Sequence, residues 1–357
     1  MASIDFTELF ATITTATTGS WATIDLTSLG VDNSAVVCVL IQHFNDTATG
    51  ICGVREVDSI INRYLTLHES EVGGSTSTVM HVQSNATASI EYYKEDANTV
   101  FTLLGWYGAG ITFTEAFGLL EPTAADWRVT EVGQANRVFE FACVNIDDVN
   151  EPVIGVRKVG SSLVRSYAVD EAEPAAAEAA TNSYTSYAQS DSGDDVELYR
   201  STTDGIIYNL GYFSSNIQLT EAFTVCTPSS DATWRELTAA GFENTVALIA
   251  CMHSSSGTEE NTGARGGASA VARYWLEHEA EDGGFSGDTL PVLVDAGGKY
   301  DTYHGDVSDA TFYCLGYLYD TGGGAGWSAG DVTGVAATDI SKIMGVAIAD
   351  IAKVGGV

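Results

Sequence analysis

Gly53-Val54-Arg55, followed by Arg63 and Tyr64, is the stretch that decides the fold, because the chain contains two further versions of it. The second is Gly155-Val156-Arg157 with Arg165 and Tyr167, and the third is Gly263-Ala264-Arg265 with Arg273 and Tyr274. A phrase that recurs at a long, regular period indicates one structural unit repeated along the chain. The sequence therefore predicts three versions of one domain.

Other landmarks recur in step with this phrase. They are the tryptophans Trp21, Trp127 and Trp234, the triplets Leu104-Gly105-Trp106, Leu210-Gly211-Tyr212 and Leu315-Gly316-Tyr317, and the pair Thr114-Glu115-Ala116-Phe117 and Thr220-Glu221-Ala222-Phe223. They predict a leader at residues 1–19 and repeats at residues 20–118, 126–224 and 233–320.

The segments between these landmarks are typical of strands and turns. They are short, rich in Val, Ile, Thr, Tyr and Phe, and bounded by Gly, Asp, Asn and Ser. This pattern predicts an all-β protein of three tandem antiparallel β-sandwiches, either jelly-roll-like or immunoglobulin-like. The one candidate helix is the Ala-rich run 171–180, which alternatively forms a loop. Short linkers predict domains arranged as beads with limited freedom.

Charge and hydropathy exclude several partners. The chain has 357 residues, and its 48 acidic against 15 basic side chains give a formal net charge of −33. Nucleic acid and anionic membranes should be repelled by such a surface. No apolar run approaches the roughly 18 residues needed to span a bilayer, so membrane insertion is not expected. The N-terminus lacks the pattern of a secretory signal peptide, so no export is expected.

Charged residues repeat along with the arginines. Each second arginine precedes two glutamates at a constant spacing, and these are Glu69 and Glu71, Glu171 and Glu173, and Glu279 and Glu281. On a strand this even spacing puts the arginine and both carboxylates on one face. Such pairs suit acid-base catalysis or calcium binding, but we favour a structural ladder, because an enzyme rarely needs three copies of its site.

The first arginines, Arg55, Arg157 and Arg265, lie between apolar neighbours. We expect each to be half-buried against a carboxylate or loop carbonyls, with a glycan carboxylate as the alternative partner. Cys38, Cys143 and Cys251 are expected at equivalent positions as buried core residues.

Cofactor and catalytic motifs are not found. The histidines follow no metal-ligand spacing, and the repeat-equivalent pair His68 and His278 is matched by Asp170 in the second unit, so zinc is not expected. The acidic turns 190–195 and 282–288 superficially suit calcium, yet neither fits an EF-hand loop, and solvated turns are the favoured interpretation. No nucleophile elbow, phosphate loop or dinucleotide fingerprint is present, so no enzyme activity is expected.

The end of the chain differs from the repeats in composition. A Gly-rich linker at 321–338 precedes a tail, 339–357, in which Ile340-Ser-Lys-Ile-Met-Gly-Val346 is echoed by Ile351-Ala-Lys-Val-Gly-Gly-Val357. An apolar duplicated tail is built to dock on a partner. The predicted docking residues are Ile340, Ile343, Val346, Ile351, Val354 and Val357.

This duplicated phrase resembles short C-terminal tags on structural proteins of tailed bacteriophages, and the repeated sandwich units resemble those of capsid decoration, fibre or appendage proteins. The resemblance implies a non-enzymatic protein of the virion that is made in the host cytoplasm without a signal peptide. It would bind further copies of itself or other virion proteins. Two alternatives stay open. One is an adhesin that binds host-surface glycans, and the other is a self-polymerising extracellular filament subunit.

Overall fold

The described part of the chain comprises residues 3–321 except 17–18, 46, 69–73, 109, 124, 148–149, 171–180, 215, 255–258, 279 and 281–283. The structure is a computed structural model, and it also describes the backbone of residues 342–343 and 346–347. Residues up to Thr321 form one compact unit, and the remainder forms a second.

Three successive sets of eight strands make up the first unit within the described residues. The first set is β1 (Phe6–Ile13), β2 (Ala22–Asp25), β3 (Val36–His43), β4 (Gly50–Arg55), β5 (Leu65–Leu67), β6 (Thr76–Gln83), β7 (Ser89–Lys94) and β8 (Thr99–Tyr107). The second is β9 (Phe113–Leu120), β10 (Arg128–Glu131), β11 (Val138–Asn145), β12 (Val153–Lys158), β13 (Ser166–Ala168), β14 (Asn182–Gln189), β15 (Asp195–Arg200) and β16 (Gly205–Phe213). The third is β17 (Ile217–Val225), β18 (Arg235–Thr238), β19 (Val246–His253), β20 (Glu260–Gly266), β21 (Tyr274–Glu277), β22 (Ser286–Leu293), β23 (Lys299–His304) and β24 (Ala310–Asp320).

Each set folds into two four-stranded antiparallel sheets. In the first domain the order β1-β8-β3-β6 makes a large sheet and β2-β7-β4-β5 a small one, and the other two domains repeat this order. The eight-stranded arrangement in which first and last strands pair is a jelly roll. The all-β class is confirmed, and the strand order selects the jelly roll over the immunoglobulin alternative.

The domains begin one strand earlier than the sequence predicted. Residues 6–13 are not a leader, because β1 pairs with β8 and completes the first large sheet. Likewise β9 pairs with β16 and β17 with β24, so the three domains span residues 6–107, 113–213 and 217–320. The Trp landmarks precede the second strand of each domain, which is why the boundaries were misplaced.

The central strands of the large sheets explain the continuous apolar runs in the sequence. Every residue of β3, β11 and β19 is buried. One face of each sheet packs inside its own domain, and clusters of buried side chains also extend across domain boundaries. Strands that are buried on both faces lose the alternation of apolar and polar residues. The domains are therefore packed on one another and are not beads.

The predicted equivalence of three cysteines is wrong in one case. Cys143 and Cys251 are each the sixth residue of their strands, whereas Cys38 is the third of β3. A turn of 3-10 helix, Thr27–Leu29, lengthens the connection before β3 and shifts the count from Trp21. All three cysteines are free and buried.

The second unit is described only in part. Its backbone forms two short antiparallel strands, β25 (Lys342–Ile343) and β26 (Val346–Ala347). The other predicted docking residues, Ile340, Ile351, Val354 and Val357, lie outside the described residues, as does the candidate helix 171–180. Among the described residues, no helix has the length and apolar character required to traverse a membrane.

Candidate functional site at the interdomain ring

The second arginine of each repeated phrase reaches into the next domain. Arg63, Arg165 and Arg273 are fully buried. Their Nη1 atoms lie 3.2 Å from Glu115, 2.7 Å from Glu221 and 3.0 Å from Glu8, respectively. Each carboxylate belongs to the first strand of the following domain, and the third domain pairs with the first. The ion pairs thus close a ring of three domains.

Three glycines set the orientation of these glutamate side chains. Glu8, Glu115 and Glu221 are paired across the large sheet with Gly105, Gly211 and Gly316, and the strand register shifts directly beside each pair. The three glycines have φ of 147°, 139° and 149°, which side-chain-bearing residues rarely adopt. Such bulges redirect neighbouring side chains. The glycine of the Leu-Gly-aromatic motif and the glutamate of the Thr-Glu-x-Phe motif are therefore paired on adjacent strands, and together they orient the carboxylate towards the interface.

The first glycine of the repeated phrase lies close to the backbone carbonyl of the second arginine. A Cβ on Gly53 would lie 1.9 Å from the carbonyl oxygen of Arg63, and the equivalent distances for Gly155 and Gly263 are 2.3 and 2.0 Å. No side chain fits at that separation. The phrase Gly-x-Arg followed by a second arginine is thus the local signature of the interface.

Each glutamate also accepts a hydrogen bond from the backbone. The amides of Glu56, Lys158 and Gly266 donate to Glu115, Glu221 and Glu8 at 2.6, 2.7 and 2.9 Å. The same carboxylate therefore binds a guanidinium and an amide of the preceding domain. Charge-assisted hydrogen bonds of this kind are stronger than neutral ones.

Backbone hydrogen bonds form a second ring. The amide of His68 donates to Thr181 at 3.2 Å, that of Asp170 to Phe285 at 3.3 Å, and that of His278 to Ser75 at 3.2 Å. These bonds again run from the first domain to the second, from the second to the third and from the third to the first. The edge strands β6, β14 and β22 contact one another in all three combinations. The domains therefore surround a pseudo-threefold axis.

The three interfaces carry different buried polar groups. At the 1–2 interface, Glu140 accepts hydrogen bonds from the backbone amide of His81 and from Tyr187, and its Oε1 lies 2.7 Å from Nδ1 of His81. Burial lowers the pKa of His81, whereas Cys38 and the Glu140 carboxylate raise it, to about 10 in total. Leu248 and Pro291 occupy the positions of Glu140 and Tyr187 in the third domain.

The third domain supplies buried acids to the other interfaces. Asp288 on β22 accepts a hydrogen bond from the amide of Thr185 in the second domain at 2.7 Å. Glu277 on β21 accepts one from Ser77 in the first domain at 2.7 Å. Burial raises the pKa of Asp288 to about 7 and raises that of Glu277 well above its usual value.

The first arginines occupy a different place, on the outer sheets. Arg55, Arg157 and Arg265 lie 2.6, 2.6 and 3.1 Å from Glu91, Glu197 and Asp301. Their guanidinium carbons lie 4.2, 3.9 and 4.1 Å from the ring centres of Trp21, Trp127 and Trp234. Their Nη1 atoms also donate to the carbonyls of Ile61, Leu163 and Val271. These groups cover the outer faces and take no part in the ring.

The predicted ladder between the second arginines and the glutamates that follow them stays a prediction. The glutamates at 69, 71, 171, 173, 279 and 281 all lie outside the described residues. The glutamates that do bind the buried arginines come from the first strands. Two of them belong to the Thr-Glu-Ala-Phe motif, which the sequence predicts at the end of a domain and which the structure has in the first strand of the next one. The third lies in the less similar copy Thr7-Glu8-Leu9-Phe10, which was not predicted.

A histidine pair lies at the axis. His68 and His278 are buried, with Nε2 atoms 3.3 Å apart, and Asp170 Oδ2 lies 3.6 Å from Nε2 of His278. Burial is the main cause that lowers the pKa of both imidazoles, to about 3 for His278. Within the described residues, no group of three His, Cys, Asp or Glu side chains is arranged to hold a metal ion.

Comparisons with known proteins give no family. No family model matches the sequence, and no curated protein does. Among solved structures, an archaeal-virus protein described by its triple jelly-roll fold and turret assembly aligns over 89% of both chains, with 9% identity and a TM-score of 0.18. A chain of the lipid-containing bacteriophage PM2 aligns over 89% of this chain and 95% of its own, with 11% identity and a TM-score of 0.14. Neither likeness carries an argument at these scores.

Proposed function

We propose that this chain is a non-enzymatic structural protein of a virus particle, in which the three domains of one polypeptide take the place of three identical subunits. The closed ring of buried Arg–Glu pairs is the observation that carries the proposal. It converts three tandem domains into one rigid block with approximate threefold symmetry. Such a block suits a symmetric protein shell or appendage, where identical contacts must repeat around an axis.

The disposition of the reactive groups supports a structural role. The buried carboxylates Glu8, Glu115 and Glu221 are each bound by an arginine of the neighbouring domain. A small pocket of about 210 Å³ at the 3–1 interface is lined by Glu8, and another of about 200 Å³ is lined by Thr12 and Asp25. Charged side chains committed to holding domains together are poorly placed to act on a substrate.

The finer proposal is a capsid decoration or tail-fibre component that docks through residues 339–357 on further copies or on other virion proteins, in the extracellular particle. The formal net charge of −33 supports a partner other than nucleic acid. Docking of the apolar tail by strand addition to an exposed sheet edge is a physically simple route.

Light scattering of the full chain and of a chain lacking residues 339–357, at matched salt, tests this proposal. Assembly of the full chain together with a monomeric truncated chain supports it. Equal assembly of both chains contradicts a docking role for the tail. If both are monomers and the full chain binds a glycan array, the adhesin alternative replaces the proposal.

A further inference from the structure

The 3–1 interface differs from the other two in its connection and in its buried chemistry. Linkers of the chain cross the 1–2 and 2–3 interfaces, at 108–112 and 214–216, but none joins β24 to β1. The side chains of His68 and His278 meet between the first and third domains, with their Nε2 atoms 3.3 Å apart. We propose that this histidine pair is an acid-sensitive latch, and that acidification opens the ring at the 3–1 interface before the other two.

The geometry of the pair is favourable when both imidazoles are neutral and unfavourable when both are protonated. With neutral rings, one Nε2–H donates to the unprotonated Nε2 of the other. With both rings protonated, two N–H donors and two positive charges face each other at 3.3 Å in a buried site. Like charges in contact and away from water repel strongly.

Among the described residues, one carboxylate lies close to an imidazole nitrogen of the pair. Asp170 lies 3.6 Å from His278, so it can balance one proton but not two. His43 acts on His68 and His253 acts on His278, and both oppose protonation. Glu259 and Glu151 approach the backbone beside this cluster, next to Gly74 and Gly284. Asn182, which is uncharged, also contacts His278, with its Nδ2 3.4 Å from the Nε2 of the imidazole.

The direction of the pH effect follows from the lowered pKa values. The unfolded or opened imidazoles take up protons near pH 6.5, whereas the closed pair resists them until the pH is far lower. The latch is therefore fully stabilising above pH 6.5 and weakens as the pH falls below it. Each histidine contributes about a tenfold change in the opening equilibrium per pH unit in that range.

In the described part of the chain, the 1–2 and 2–3 interfaces have no pair of histidines in contact. His81 at the 1–2 interface faces the Glu140 carboxylate, so it keeps its proton throughout this range and does not act as a switch. Within the third domain, His253 and His304 form a second histidine contact, with Nδ1 and Nε2 3.2 Å apart. Since that contact crosses no interface, it provides a matched control.

Amide hydrogen exchange between pH 7.5 and 4.5, corrected for intrinsic rates, tests the proposal independently of any assembly. The amides of Glu56, Lys158 and Gly266 report on the 1–2, 2–3 and 3–1 interfaces through equivalent hydrogen bonds. We expect Gly266 to lose protection first, by at least tenfold more than the other two. Simultaneous loss at all three amides overturns the latch.

Two variants separate the latch from general acid unfolding. His68→Gln with His278→Gln keeps two amides that can hydrogen-bond but cannot gain a proton, so the early loss at Gly266 should disappear. His304→Gln should leave it in place. If the double variant does not fold, the single variant His68→Gln serves, with at least half of the pH effect removed. An unchanged exchange pattern in the glutamine variant contradicts the proposal.

Discussion

At the residue scale, the buried Arg–Glu pairs hold the domains together. Removing a glutamate should lower the free energy of unfolding most where its arginine has no second carboxylate nearby. Among the described residues, Glu221→Gln and Glu8→Gln leave Arg165 and Arg273 buried without a carboxylate partner. Removing one partner of a buried pair typically destabilises a protein by about 3–5 kcal/mol. We expect losses of this size in urea unfolding.

Glu115→Gln should cost less than these two changes. Arg63 has a second carboxylate, because its Nη2 lies 3.7 Å from Glu140. Glu236→Gln on the outer sheet is the control, since Glu236 and Lys299 are 58% and 34% exposed, and at most about 1 kcal/mol is expected there. Equal losses of unfolding free energy for the ring and outer variants would mean that the buried pairs contribute no more to stability than an outer ion pair.

Glycine at position 53 is required by close approach. Gly53→Ala would place a methyl group 1.9 Å from the carbonyl oxygen of Arg63, so β4 and β5 must separate. Overpacking of this kind costs about 1–3 kcal/mol or more. Gly118→Ala is the control, because no atom lies within 4 Å of its added Cβ. A thermal melt in which both variants behave alike would exclude the close approach.

At the element scale, the fold class was predictable because it is written in local patterns. Strand and turn residues alternate within each repeat, and the buried strand β19 reads as the continuous run Val246 to Met252. The domain boundary was not predictable in this way. A jelly roll pairs its first strand with its last, as β1 with β8, and no local pattern says which neighbouring strand belongs to which sheet.

The ring was hidden for the same reason. Its ion pairs join residues separated by 52, 56 and 265 positions, as in Arg63 with Glu115 and Arg273 with Glu8. Repetition of the arginines indicated a shared role, and repetition of Thr-Glu-x-Phe indicated another. Only the tertiary structure shows that the two motifs meet, because each arginine finds its glutamate in a different domain.

Strand β22 gives the axis a pH dependence of its own. The buried Asp288 has a pKa raised to about 7, above its unfolded value of 3.8. A raised pKa means that its stabilising effect is full below pH 4 and is lost as the pH rises towards 7. Asp288→Asn should therefore gain stability relative to the parent between pH 5 and 7.5, on the order of 2–3 kcal/mol.

Denaturant unfolding at the two pH values measures this difference. The asparagine Oδ1 can still accept the hydrogen bond from the Thr185 amide that Asp288 accepts in the parent. Asp191→Asn, in an exposed turn, serves as the control variant. A relative stability that stays constant with pH would show that Asp288 is ionised in the folded protein.

At the scale of the whole molecule, a closed ring predicts that the chain can be permuted. The linker between the first two domains spans 108–112, and the third domain faces the first in the same way. A permutant that opens at this linker, omits residues after 321 and joins residue 321 to residue 4 by five residues should fold. Its free energy of unfolding should lie within about 1–2 kcal/mol of an unpermuted chain that ends at residue 321.

The length of the new linker makes this a test of closure. Five residues span at most about 17 Å, which is too short to join the ends of three domains arranged in a line. A permutant with a long Gly/Ser linker is the control. If only the long-linker permutant folds, the domains do not form a ring.

Ring closure is tested most directly by a double-mutant cycle between Glu8 and Arg273, because this ion pair joins the third domain to the first. Denaturant unfolding of the parent, Glu8→Gln, Arg273→Met and the double variant gives the coupling energy. Residues in direct contact typically show about 0.5–3 kcal/mol of coupling, and the 3.0 Å buried pair should lie near the upper end. Additive effects, with coupling near zero, would contradict a closed ring of three jelly rolls.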